Sequence, residues 1–198
     1  RGIGIATSSD YRHWRKLEAN PVIQSTEWGV TETQDEDGSP VVYGSADPSN
    51  VWKRDGKYYM LTGNLLVLNK YGRGSTSPDE MKGDRLYLFE SENLTDWEYK
   101  GVFYQRNPEW TDDSEDNMCP SFLPLPASPE GGKPSGKHLL LFISHNKGCQ
   151  YYIGDYDTGC DKFIPDRHGR MTWIDNTYFA PEALVDGRGR QIMWAWLT

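Results

Sequence analysis

Three cysteines in 198 residues are too few for a disulfide framework; Cys149 and Cys160 flank an expected hairpin and are the pair that could bridge. No run approaches the roughly 18 consecutive apolar residues of a membrane-spanning helix, so no membrane partner is expected. There is no block of lysine and arginine either. With a net charge of −8 spread along the chain, a nucleic-acid backbone would meet repulsion, and nucleic acid is not an expected partner. No stretch of a dozen residues carries a 3.6-residue apolar period, which argues against a helical domain. No metal-ligand spacing occurs, so neither metal nor cofactor is expected. The opening Arg1-Gly2-Ile3-Gly4-Ile5 reads as the interior of a strand, and no secretory leader is expected in it. Asn93-Leu94-Thr95 fits the N-glycosylation acceptor pattern, which has meaning only in a secreted eukaryotic protein.

What the chain does have is aromatic surface and turn chemistry. Eight tryptophans and 12 tyrosines favour half-buried strands, and the same rings suit stacking on sugars. Short apolar runs alternate with turn signals from end to end. Asn50 to Lys53 and Lys57 to Thr62 flank Arg54-Asp55-Gly56, a strong hairpin signal. His138 to Ser144 pairs naturally with Gln150 to Tyr156, and Glu182 to Val185 with Arg190 to Trp196. Asn69 to Gly83 and Ala127 to Gly136 read as long surface loops. The fold class is all-β.

A weak repeat supports blade-like units. Ala6-Thr7-Ser8-Ser9-Asp10 leading to Trp14 resembles Phe89-Glu90-Ser91-Glu92-Asn93 leading to Trp97, and Ile153 to Asp157 followed by Phe163 echoes both. The spacing exceeds one hairpin and suits four-stranded blades, although a β-sandwich could use similar hairpins.

Two stretches hold candidate chemistry. In Ser45-Ala46-Asp47-Pro48, a carboxylate stands between small neighbours and the stiff proline ring, where it could bond sugar hydroxyls or stabilise positive charge. The ordinary alternative is a turn initiated by Asp-Pro. In Asp112-Asp113-Ser114-Glu115-Asp116, crowded carboxylates repel, the circumstance that can hold one carboxylic acid protonated for proton donation. A solvated acidic loop is the alternative. Trp52, Trp110 and Trp173 could stack on a sugar, but core packing is the first expectation for each. His145 follows an apolar strand and reads as a satisfied polar residue.

Taken in order, five segments resemble the catalytic propeller of glycoside hydrolase family 32, the invertase, inulinase and levanase group. They are Gly4 to Asp10 with Ala19-Asn20-Pro21-Val22-Ile23; Asp47-Pro48 with Lys57 to Gly63; Cys119-Pro120 with Phe122 and Pro124; Gln150 to Tyr156; and Tyr178 to Glu182. The resemblance implies the middle blades of a five-bladed β-propeller, with the remaining blades of the parent chain as partner. It implies a carbohydrate substrate and a retaining reaction on β-fructofuranosyl bonds. The family's nucleophile motif does not occur between residues 1 and 198. Asp47 matches the family's transition-state-stabilising Asp, and Ser45, Ala46, Trp52 and Cys119 become expected substrate-binding positions. Two departures stand out. Ala46 replaces an Arg, and Met118 replaces the acid/base Glu beside Cys119, which leaves Glu115 or Asp116 to supply that proton. A carbohydrate-binding propeller without catalysis, or a related furanosidase or fructosyltransferase, are the rival expectations.

Overall fold

The computed structural model describes residues 1–172 and 177–198. The chain opens with short antiparallel pairs, β1 (Gly2–Ile3) on β4 (Ile23–Gln24) and β2 (Ala6–Thr7) on β3 (Arg15–Lys16). A hairpin of β5 (Val30–Gln34) and β6 (Pro40–Gly44) follows. Two complete four-stranded antiparallel sheets come next. The first is β7 (Trp52–Arg54), β8 (Lys57–Thr62), β9 (Tyr87–Ser91) and β10 (Glu98–Val102), paired in chain order. The second is β11 (Met118–Ser128), β12 (Gly131–Ser144), β13 (Gly148–Asp157) and β14 (Lys162–Arg170), also paired in chain order. A last pair, β15 (Tyr178–Val185) and β16 (Gln191–Leu197), ends the chain. Successive sequential meanders packed face to face are the blades of a β-propeller.

The sequence repeat is a repeated turn. Asp10 Oδ1 accepts the Arg12 and His13 amides at 2.9 and 2.8 Å, and Asn93 Oδ1 accepts those of Thr95 and Asp96, both at 2.9 Å. The preceding Ser8 and Ser91 hydroxyls accept the Asp10 and Asn93 amides. A short polar side chain that mimics a backbone turn explains why Ser-x-Asx recurs. At the β7–β8 turn, Asp55 and Gly56 both have positive φ, 50° and 86°, as a two-residue hairpin of this hand requires.

Alternation along the strands sends one face of each sheet to each neighbour. Tyr59 and Leu61 of β8 join Leu140, Phe142 and Tyr152 of the second sheet in one core, whereas Met60 joins Ile3, Ile23 and Val30 on the other side. In β12 the odd residue Leu141 turns away to pack with Ala183 of β15. The centre between the two full sheets is aromatic. Phe103 meets Phe122 edge to face at 5.0 Å, and Trp52 lies 5.1 Å from Phe122. Burial of each such side chain contributes about 1.5–3 kcal/mol.

Three expectations are corrected. The stretch 127–136 is not a loop: β11 and β12 continue through it to a tight connection, Ser128 opposite Gly131. Pro129 lies in the turn, and Pro134 lies on the part of β12 before His138, where β13 does not pair with it, so no ladder donor is lost on that side. The stretch 69–83 is not all loop: the π-helical turn Leu68–Gly72 opens it and Asp79–Met81 forms a 3-10 turn within it. Cys149 and Cys160 do not pair; all three cysteines are free, because the length of β13 separates buried Cys149 from exposed Cys160.

Candidate active site

The inner strands of successive sheets open in the same way. Asp47-Pro48, Cys119-Pro120 and Ala180-Pro181 each place a non-glycine residue at positive φ, 57°, 49° and 50°, directly before proline. That conformation is costly for an L-residue, and the residue before proline ordinarily takes extended geometry. Strand register shifts across Cys119-Pro120 and across Ala180-Pro181, so these are bulges. Pro48 forms an isolated bridge with Thr62. A bulge re-aims the side chains beside it, and proline suits it because no ladder donor is lost. Three strained X-Pro junctions, two of them bulges, come to one end of the fold, where Asp47 meets Cys119 and Ser121 meets Glu182, and mark the candidate site.

Asp47 is half-buried, and its Oδ2 accepts the Cys119 backbone N–H. The carboxylate of one sheet is thus fixed by the bulge of the next. Beside it runs a cleft of about 370 Å³ lined by Gly2, Ser25, Trp28, Ser45, Ala46 and Asp47, among others. Ser45 holds this wall from within. It is 1% exposed, donates to Ser25 Oγ at 2.8 Å and accepts from Thr31 Oγ1 at 3.0 Å. Its hydroxyl is engaged inside the protein. Ala46 leaves the cleft without a side-chain cation at that position. Trp28, 71% exposed on the same cleft, was not singled out by sequence; an isolated Trp in a turn carries no periodic signal.

Glu182 is a second carboxyl that sequence reasoning missed. It lies two residues past the Ala180 bulge, where Ser49 and Ser121 lie past the first two. Ser121 Oγ donates to Glu182 Oε2 at 2.9 Å. Burial, together with the nearby Asp47 charge, pushes the Glu182 pKa above the usual carboxylate range, against the pull of the Ser121 bond. The signal that could have found it is the threefold X-Pro alignment, in which Ser, Ser and Glu occupy one place.

The two candidates of the acidic stretch behave differently. Glu115, 1% exposed, is held in a bidentate pair with Arg170 at 2.9 and 3.0 Å and also accepts from Gln150 Nε2 at 2.8 Å. This is a structural clamp between the loop and β13–β14, with no hydrogen bond to the Asp47 group. Asp116 is fully buried, and both its oxygens go to His145: Oδ1 accepts the backbone N–H at 3.0 Å, and Oδ2 meets Nδ1 at 2.7 Å. His145 sits in the β12–β13 turn, beside the register pair Met118–Ile143, with its ring 5.6 Å from Phe179. The Asp116 bond, aided by the charges of Asp116 and Asp47, holds its pKa above the ordinary histidine value, against burial and Arg73.

The remaining candidates fall to packing. Met118 is buried with Ile143 and Cys149, and its sulfur accepts the Leu65 N–H at 3.4 Å. Cys119 contributes its amide, while burial first and the Asp47 charge second push its thiol pKa far up, which makes it a poor nucleophile. Trp52 is not beside Asp47; its ring packs with Tyr59, Phe103, Phe122 and Tyr156 between the sheets. Trp110 packs on Tyr152 and His168. Trp173 lies outside the described residues.

Comparison with known proteins matches residues 4–198 to the model described as Glycosyl hydrolases family 32 N-terminal domain. Sucrose-6-phosphate hydrolase of Bacillus subtilis (strain 168) is 27% identical over 162 residues, covering 77% of this chain and 29% of that protein. Fructan 1-exohydrolase of Leymus chinensis is 27% identical over 201 residues, covering 93% of this chain and 28% of that protein. The chain therefore spans under a third of the length of these relatives. Among solved structures, a β-fructofuranosidase of Bombyx mori superposes with a TM-score of 0.64 at 21% identity, over 98% of this chain and 36% of that one. A fructofuranosidase of Schwanniomyces occidentalis complexed with fructose gives 0.62 at 20% identity, over 98% and 32%. At this identity the likeness concerns the fold.

Proposed function

The chain belongs to glycosyl hydrolase family 32, and from that membership we propose that the protein containing it hydrolyses β-fructofuranosides of the sucrose, inulin or levan type. The observation that carries this reading is the Asp47 carboxylate, held by the Cys119 amide at a strained Asp-Pro junction on a sugar-sized cleft. A carboxylate fixed in this way pays no reorganisation as positive charge develops on the fructosyl ring. Asp47 acts as the stabiliser of that charge. In the retaining scheme a second carboxylate, outside these 198 residues, attacks the anomeric carbon, and a proton donor assists the leaving group. Further strands of the parent chain complete the ring by covering β16, where Trp194 and Trp196 are 50% and 66% exposed.

One observation favours a second reading, a propeller that binds carbohydrate without turnover. By the sequence resemblance Met118 takes the place of the family's acid/base Glu, and Glu115 is held by Arg170. The experiment incubates the full-length protein with sucrose, inulin and levan and measures free fructose. Fructose release supports hydrolysis. Saturable binding of these sugars without release supports the second reading.

A further inference from the structure

We propose that Asn64 is the positioning residue that aligns the Asp47 carboxylate with the Cys119 amide, and so governs the rate of fructoside cleavage without touching the sugar. The proposal rests on the hydrolytic reading above. β8 ends at Thr62, and Gly63-Asn64 carries the chain past the start of β11. A strand end leaves backbone groups without ladder partners, and an asparagine amide can both accept and donate. Asn64 does both. Its backbone N–H donates to the Asn117 carbonyl at 3.1 Å, and its Oδ1 accepts the Asn117 N–H at 2.8 Å. Its Nδ2 donates to the Gly83 carbonyl at 2.8 Å. One residue thus continues the pairing between the two full sheets where no strand ladder joins them.

These bonds close a ring around the Asp47–Cys119 contact. The Gly63 N–H donates to the Ala46 carbonyl at 3.2 Å, directly before Asp47, and Asn64 holds Asn117, two residues before Cys119. The Cys119 N–H then returns to Asp47 Oδ2. The place of the amide relative to the carboxylate is therefore set through Asn64. Two further observations show that this joint is tight and dry. A Cβ at Gly63 would lie 2.3 Å from Met118 Sδ and 2.8 Å from the Asn117 carbonyl oxygen, so only glycine admits the approach. Asn64 and Asn117 are both fully buried, and Asn117 Nδ2 is itself fixed on the Tyr104 hydroxyl at 2.9 Å. In such surroundings a lost partner is not replaced by solvent, and each remaining polar bond is strong. Asn64 does not line the Asp47 cleft, so a change there reaches the chemistry through the Asp47–Cys119 pair.

The test is a double-mutant cycle on the full-length protein, read as sucrose turnover. Asn64→Ala is expected to lower kcat by about 10–100-fold with KM within about twofold, the scale of a reacting group displaced by about 1 Å. In the Asp47→Asn background the charge to be positioned is already gone, and the same change is expected to cost less than about threefold. If the alanine variant does not fold, Asn64→Ser, which keeps a polar group at the buried position, takes its place in the cycle with the same expectation. Equal losses in both backgrounds would mean a general structural role and overturn the proposal. So would a rise in KM with kcat unchanged, or unaltered turnover in the single variant. A wild-type protein that releases no fructose defeats the hydrolytic reading and the proposal with it, whereas an active wild type with additive losses defeats only the proposal.

Discussion

The first and second full sheets open with the same backbone and different chemistry. Asp47-Pro48 and Cys119-Pro120 share positive φ before proline, and a single hydrogen bond from the second to the first joins them. At the first, the side chain is a carboxylate facing a cleft; at the second, the flanking Met118 is buried under Leu65 and the bulge gives only its amide. The same strained backbone therefore presents a carboxylate at the first sheet and only an amide at the second. Backbone strain of this kind is costly, and its persistence at three places argues that the geometry still serves a ligand.

The comparison is broken most severely by removing the first sheet's group. Asp47→Asn in the full-length protein is expected to lower kcat by roughly 10²–10³-fold with little change in KM, the scale seen for a lost transition-state stabiliser. Steady-state kinetics on sucrose checks it, and an equal rise in KM with kcat unchanged would reduce Asp47 to ground-state binding. Next in size is the clamp of the second sheet. Glu115→Ala leaves Arg170 without its bidentate partner and should cost about 3–5 kcal/mol in urea unfolding. A loss below about 1 kcal/mol would mean that solvent takes over the guanidinium.

Restoring the family residue sharpens the contrast. Met118→Glu puts a carboxyl where the sulfur now packs against Ile143 and Cys149, so a loss of about 1–3 kcal/mol and no gain in turnover are expected. A gain of tenfold or more would show that the site retains room for a proton donor at that position. The smallest effect concerns Glu182. Its pKa is raised in the folded state, so its burial is favourable below the ordinary glutamate range and becomes a penalty as pH rises through the folded value. Glu182→Gln should therefore be more stable than the parent near neutral pH, with the difference vanishing in acid; thermal melts across that window measure it.

Much of the fold was legible because its signals are local. Asp-Gly turns, the Ser-x-Asx repeat and two-residue alternation each act over a few residues, and the structure builds hairpins and capped turns on them. The ends of β11 and β12 carry the loop signals of proline and glycine, and the strands tolerate them because Pro129 falls in the turn and Pro134 on a part of β12 that β13 does not reach. Of the candidate site, Asp47 is nameable from the ordered family resemblance, since its local setting equally suits a turn, whereas Glu182 and Trp28 depend on sheet-to-sheet juxtaposition that no local pattern encodes. Glu115 and Asp116 illustrate the limit: two carboxylates adjacent in sequence, one meets Arg170 and Gln150 and the other His145.

The most direct test of the central claim is a crystal structure of the full-length protein with bound fructose. The sugar is expected in the cleft beside Trp28 and Ala46, with fructosyl hydroxyls within hydrogen-bond distance of the Asp47 carboxylate while the Cys119 amide still holds it. Fructose bound elsewhere, with Asp47 touching only protein, would contradict it.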